Sequence, residues 1–242
     1  MPLAFIRRTA AMNTSYRKTF PCLASIAATH PECIRPDLLL RAQFCGKLTK
    51  LLRTVASLAD SDEYTHLKIG SGNVDMDTIG LGWVNDLLFH LVLRPIARLL
   101  YGETEGFKDL DWRQGYVAGY SSKPSIATAT PRQRLVPHTD DSEVTFNTCL
   151  GDDFKGGVLE FSGLRGTEDE GEFLGEFKPR IGTALIHSGR HLHAVKEVTS
   201  GDRYAYIIWS RSWRGMRSSI CPCCWLHRRQ GDKACICSPT WN

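Results

Sequence analysis

Between residues 112 and 210 the sequence breaks into short runs rich in Val, Ile, Phe, Tyr and Thr, each ended by Gly, Asp or Pro. β-Branched and aromatic side chains pack well on a pleated surface, and the punctuating residues supply turns. The runs fall at 114–120, 143–150, 157–161, 172–177, 182–187, 193–198 and 203–210. Short strands at that spacing leave few solutions besides an all-β barrel or sandwich. The paired glycines Gly156 and Gly157 read as a tight turn that other residues tolerate poorly, not as a phosphate loop.

The first half has a different texture. From Asp37, a plausible N-cap, apolar residues Leu38, Leu39, Phe44, Leu48, Leu51, Leu52, Val55 and Leu58 recur at three- and four-residue intervals, as in one or two amphipathic helices. A Gly/Asp/Ser stretch at 70–77 reads as loop, and a second helix is expected over 79–101, kinked or split at Pro95. The expected division is a targeting or disordered segment at 1–35, a helical support region at 36–111, a catalytic domain at 112–214 and a Cys-rich basic tail at 215–242.

Charge narrows the function classes. The net charge of +4 is carried by residues 1–31, which hold Arg7, Arg8, Arg17 and Lys18 and no acid. The rest of the chain is balanced, which argues against a nucleic-acid-binding body, since that would carry its basic excess on the folded domain. An acid-free, Arg-bearing start suits an organelle transit peptide or a disordered tail. The longest apolar run, 87–100, is broken by His90, Arg94, Pro95 and Arg98, so no membrane span is expected. Of nine cysteines, Cys221, Cys223, Cys224, Cys235 and Cys237 crowd the tail, a distribution unlike a disulfide framework. Their spacing suits zinc poorly. Reduced thiols and an intracellular location, cytoplasmic or organellar, are expected.

The chemistry gathers around P-H-T-D, residues 137–140. In an extended segment residues i and i+2 face the same way, so His138 and Asp140 present an imidazole and a carboxylate to one point. Two ligands do not make a metal site, but H-S-G-R-H-L-H at 187–193 offers His187, His191 and His193 as a third. Two histidines and one carboxylate on one face of an octahedron leave three positions open, which suits non-haem Fe(II) with a bidentate co-substrate and O2. Arg203 lies in R-Y-A-Y-I-I-W-S, a strand that otherwise reads as buried. A buried guanidinium needs a partner. A co-substrate carboxylate would serve, as would Asp202 or Glu197.

H-T-D, then D-F-K-G-G-V-L-E-F-S-G (153–163), G-T-A-L-I-H-S-G-R-H-L-H (182–193) and V-T-S-G-D-R-Y (198–204) together resemble the 2-oxoglutarate/Fe(II)-dependent dioxygenase superfamily. The likeness is nearest to its prolyl and lysyl hydroxylase-like branch and runs from about residue 87 to 225. It implies a double-stranded β-helix (jelly roll) flanked by helices, with His138, Asp140 and His193 matching the iron ligands and Arg203 the residue that binds the 5-carboxylate. Tyr120 matches a tyrosine that often reaches the co-substrate, or is a core aromatic. His193 is preferred because the basic residue follows it by ten positions; His191, with the same strand parity, competes, and His187 reads as packing. Glu197 stands where the hydroxylases usually carry proline. The implied cofactors are Fe(II), 2-oxoglutarate and ascorbate, the implied co-reactant O2, and the implied substrate a peptide, protein or small molecule. Rival readings are a nucleic-acid demethylase, disfavoured by the charge and by Arg211 standing eight residues past Arg203, a cupin-like binding module without catalysis, and a metal enzyme without 2-oxoglutarate.

Overall fold

Strict alternation along three long strands decides where everything else sits. In the computed structural model, which describes residues 40, 42–58, 62–69, 73–101, 109–123, 132–151, 154–164 and 168–214, strand β11 (Val198–Arg211) runs between β3 (Trp112–Ser121) and β5 (Val144–Gly151). The large sheet has the order β1 (Lys68–Ile69), β2 (Asn73–Asp75), β3, β11, β5, β9 (Ala184–Ser188), with β6 (Phe154–Gly156) also paired to β11. A smaller sheet runs β4 (Leu135–His138), β10 (His191–Val195), β7 (Leu159–Leu164), β8 (Phe173–Phe177). All named pairings are antiparallel.

Because successive side chains point to opposite faces, Val117, Phe146, Ile186, Tyr206 and Ile208 form one face of the large sheet. That face packs against α1 (Ala42–Leu58), α2 (Gly82–Leu88), the 89–93 segment and α3 (Arg94–Tyr101) through Leu48, Leu52, Val84, Phe89, Leu93 and Leu100. The opposite face carries Tyr116, Ala118, Tyr120, Leu185, Ala205 and Ile207 and meets Leu159, Phe161 and Val195 of the small sheet. Two antiparallel sheets closed over each other, with helices backing one of them, make the jelly roll that the resemblance implies. Covered on both sides, β5 is buried at all eight positions, even though it contains Thr145, Asn147 and Thr148.

All seven expected strands form, with shifted ends. The 70–77 stretch differs: Asn73–Asp75 is a strand, held by Val74 opposite Val117 and Asp75 opposite Tyr116. The neighbour's backbone overrides the weak strand preference of Asn and Asp. The second helix starts at Gly82 rather than 79, because Thr78 N–H donates to Asp75 Oδ1 (2.8 Å) in a preceding turn. Around Pro95 the helix continues through a π turn, Phe89–Leu93, which gives the proline ring room against the preceding carbonyls. Asp37, residues 1–35 and the tail cysteines lie outside the described residues. Among those described, no helix is long and apolar enough to cross a membrane.

Candidate metal centre

His138 ends β4, and the cross-strand register sets it directly opposite His193 on β10. Pro137 is tolerated because β4 is an edge strand that can spare a donor. Two residues later Asp140 is fixed by its backbone, whose N–H donates to Gly189 O (2.9 Å) in the turn between β9 and β10. One hydrogen bond thus ties the H-T-D segment to the turn that delivers His193. The result is a triad in which Asp140 Oδ1 lies 3.6 Å from His138 Nε2 and 3.7 Å from His193 Nε2. Both distances exceed a hydrogen bond, yet the three donor atoms lie within 4.8 Å of one another.

The outer contacts set the chemistry of these atoms. His138 Nδ1 is 2.9 Å from Val136 O and His193 Nδ1 is 2.9 Å from His191 O. A carbonyl only accepts, so each Nδ1 carries the hydrogen and each Nε2 keeps its lone pair toward Asp140. Thr145 Oγ1 donates to Asp140 Oδ2 (2.7 Å), and Ser142 Oγ lies 2.6 Å behind it. Burial, followed by the neighbouring His193, pushes the His138 pKa down, which keeps its imidazole neutral. Such a set of two imidazoles and one oriented carboxylate fits a divalent first-row metal, with the hydrogen-bonded outer partners usual for metal-ligating histidines.

His187 and His191 are buried nearby but do not join the triad. His187 lies edge-on to His193 with ring centroids 4.9 Å apart, and its Nδ1 donates to Ser188 O (3.0 Å). His191 Nδ1 donates to Ser162 O (3.1 Å) on β7. Phe161 stacks on the His193 ring at 5.5 Å, closing the inner side.

Behind the triad lies a cavity of about 190 Å³, lined among others by Tyr116, Tyr120, Asn147, Arg203 and Trp209. Arg203 is fully buried, and among the described residues its Nε and both terminal nitrogens have no hydrogen-bond partner. The ion pairs considered from sequence are absent: Asp202 is taken by Arg53 (3.3 Å) and by Ser121 Oγ (2.6 Å), and the Glu197 side chain is exposed. The Tyr120 ring, opposite Arg203 in register, lies 5.2 Å from its guanidinium. Burial pushes the Arg203 pKa down. An uncompensated buried charge is costly, so this arginine suits an anionic partner. The tight turn expected at Gly156–Gly157 supports it, with φ of 80° and 62°. A Cβ on Gly157 would come 2.7 Å from Arg203 Cδ, so the turn and the arginine share one space.

Sequence reasoning missed Arg132, Asn147, Tyr116 and Trp209 in the cavity wall. The period-two pattern of 145–149 and 203–209 could have found Asn147 and Trp209; Arg132, in a segment of irregular structure, carried no such signal.

No protein-family model matches the chain. It is 31% identical over 215 residues to the 2-oxoglutarate and iron-dependent oxygenase domain-containing protein ICU11 of Arabidopsis thaliana, covering 80% of this chain and 51% of that protein. It is 29% identical over 188 residues to the 2-oxoglutarate and iron-dependent oxygenase domain-containing protein 2 of Danio rerio, covering 77% and 51%. Among solved structures, an oxidoreductase of the 2OG-Fe(II) oxygenase family from Burkholderia pseudomallei superposes with a TM-score of 0.43 at 19% identity, covering 56% of this chain and 59% of that one. The chain spans about half the length of the curated relatives it matches.

Proposed function

Starting from the chain's homology to the 2-oxoglutarate and iron-dependent oxygenase domain-containing proteins, we propose that it is a 2-oxoglutarate-dependent Fe(II) hydroxylase. The observation that carries the reading is a His–Asp–His cluster and a fully buried, unpartnered arginine opening on one cavity. His138 Nε2, His193 Nε2 and a carboxylate oxygen of Asp140 would hold Fe(II). Arg203 would take the 5-carboxylate of 2-oxoglutarate through its two-pronged fork, with Tyr120 beside it. When bound, the iron and 2-oxoglutarate supply the oxidising chemistry: O2 and the co-substrate yield succinate and CO2, and one oxygen atom enters a substrate C–H bond as a hydroxyl.

The protein's share is placement and dryness. Thr145 turns the Asp140 carboxylate toward the imidazoles, and the two carbonyl-bound Nδ1 atoms lock both rings. Phe161, Leu159 and Val195 exclude water from the inner side, while His138, with a 30% exposed side chain, marks the open side where substrate would approach. The cavity beside the triad would hold the co-substrate, with a substrate side chain entering from the open side. With the resemblance to the prolyl and lysyl hydroxylase-like branch, that supports a peptidyl proline or lysine as the target. Residues 112–214 would form the catalytic domain, with 36–111 as helical support; ascorbate would keep the iron reduced.

The test is succinate formation from 2-oxoglutarate under air with Fe(II) and ascorbate, for wild type, His138→Ala and Arg203→Met. The Met variant removes the buried charge without opening a large cavity. Succinate from wild type alone upholds the reading. Wild-type protein that takes up neither iron nor 2-oxoglutarate would overturn it in favour of a non-catalytic module.

A further inference from the structure

We infer that Asn147 is a co-substrate-binding residue whose side-chain amide engages the metal-chelating end of 2-oxoglutarate; this rests on the iron and 2-oxoglutarate assignment above. Asn147 is only 7% exposed and its side chain lines the cavity. Among the described residues that amide has no hydrogen-bond partner. An amide that faces a cavity with no protein partner is available to a ligand, whereas a second buried amide is engaged within the fold. The buried Asn85 donates to Asp77 Oδ2 (2.8 Å) and accepts from the Tyr206 hydroxyl.

Strand register says which end of the ligand Asn147 meets. Opposite one another on β11 and β3 stand Arg203 and Tyr120, then Ala205 and Ala118, then Ile207 and Tyr116. On the other side of β11, Asn147 pairs with Ile207, and Thr145, which holds Asp140, pairs with Trp209. Four residues of strand, about 13 Å, therefore separate the backbone of Arg203 from the row of Asn147, and the long arginine side chain shortens the gap. Between them the two alanines, each 1% exposed, leave the floor low and apolar, which suits the two methylenes of a five-carbon diacid. With its far carboxylate on Arg203 and its near end at the triad, that ligand lays its 1-carboxylate and keto oxygens in the reach of Asn147. The amide N–H donates there to an anionic oxygen, which the side chain's position next to Thr145 allows.

The experiment uses the full chain loaded with Mn(II), which binds such ligands without turning over. 2-Oxoglutarate affinity is measured by calorimetry, Mn(II) affinity by electron paramagnetic resonance, and thermal unfolding without ligand, for Asn147→Ala, Asn147→Leu and Asn147→Asp. Loss of one hydrogen bond to a charged acceptor predicts 2-oxoglutarate binding weaker by about 10- to 100-fold in Ala and Leu. It predicts a larger loss in Asp, whose charge repels the ligand, with Mn(II) affinity and apo unfolding temperature unchanged. Combined with Arg203→Lys, the Asn147→Ala loss should multiply, because the two side chains grip opposite ends. Unchanged 2-oxoglutarate affinity in Ala and Leu would overturn the inference, as would a parallel loss of Mn(II) binding or of apo stability. Wild-type protein that binds Mn(II) but no 2-oxoglutarate would instead bring down the co-substrate assignment itself.

Discussion

The geometry of the proposed metal triad rests on atoms outside it. Asp140 alone could rotate; the Thr145 hydroxyl at 2.7 Å on Oδ2 leaves Oδ1 as the free ligand atom. Outer-shell bonds of this kind are worth roughly 10- to 100-fold in metal affinity. Thr145→Val, which keeps the shape and removes the hydroxyl, should weaken Fe(II) binding by about that factor while leaving the His138 and His193 rings in place. Anaerobic metal titration of the two proteins checks it; equal affinities would mean that Asp140 is oriented by packing alone. The three nearby histidines differ at the same level. His193 and His191 both point inward from β10, but His191 Nδ1 donates to Ser162 O on β7, whereas His193 stands 3.7 Å from Asp140.

Strands and turns show what a sequence can and cannot announce. The H-x-D spacing was legible because period two is local, and so were the seven strands, whose β-branched runs end in turn residues. The pairing of His138 with His193 was not, since register between residues 55 positions apart depends on the closed sheet. Strands β2 and β6 were missed for a related reason: each is three residues long and is held by hydrogen bonds to a long neighbour rather than by its own composition. The Gly156–Gly157 turn was readable as a turn, but its second duty, clearing space for the Arg203 side chain, appears only in three dimensions. Gly157→Ala combines a positive φ with that contact. It should cost about 1–3 kcal/mol of stability and lower 2-oxoglutarate affinity by displacing Arg203. Urea unfolding with and without the co-substrate measures both effects; a variant with wild-type values would mean that the turn relaxes freely.

Across the fold, the large sheet has two employments: one face is a hydrophobic floor for the helices, the other a polar-studded wall of the cavity. The cost of the second appears as pH sensitivity. Burial holds His187 at a pKa of about 3 and His191 at about 4, below the ordinary 6.5, so both stay neutral in the folded chain where the unfolded chain takes up protons. Stability should therefore be full above pH 6.5 and decline as pH falls toward those values. Each histidine contributes a slope of about 1.4 kcal/mol per pH unit within its window. Urea midpoints between pH 7 and 4.5 test this, and His187→Phe or His191→Phe should flatten the curve; a flat wild-type profile would contradict the buried neutral assignment. The triad and the described cavity lining lie within residues 73–209, in a chain that spans about half the length of its matched relatives.

One measurement bears on that site more than any other: the stoichiometry of Fe(II) bound under anaerobic conditions with saturating 2-oxoglutarate, across single alanine variants of His138, Asp140, His187, His191 and His193. The triad predicts one iron per chain in wild type, near-complete loss in His138→Ala, Asp140→Ala and His193→Ala, and retention in His187→Ala and His191→Ala. Iron kept by His193→Ala and lost by His191→Ala, or no iron in wild type, would contradict it.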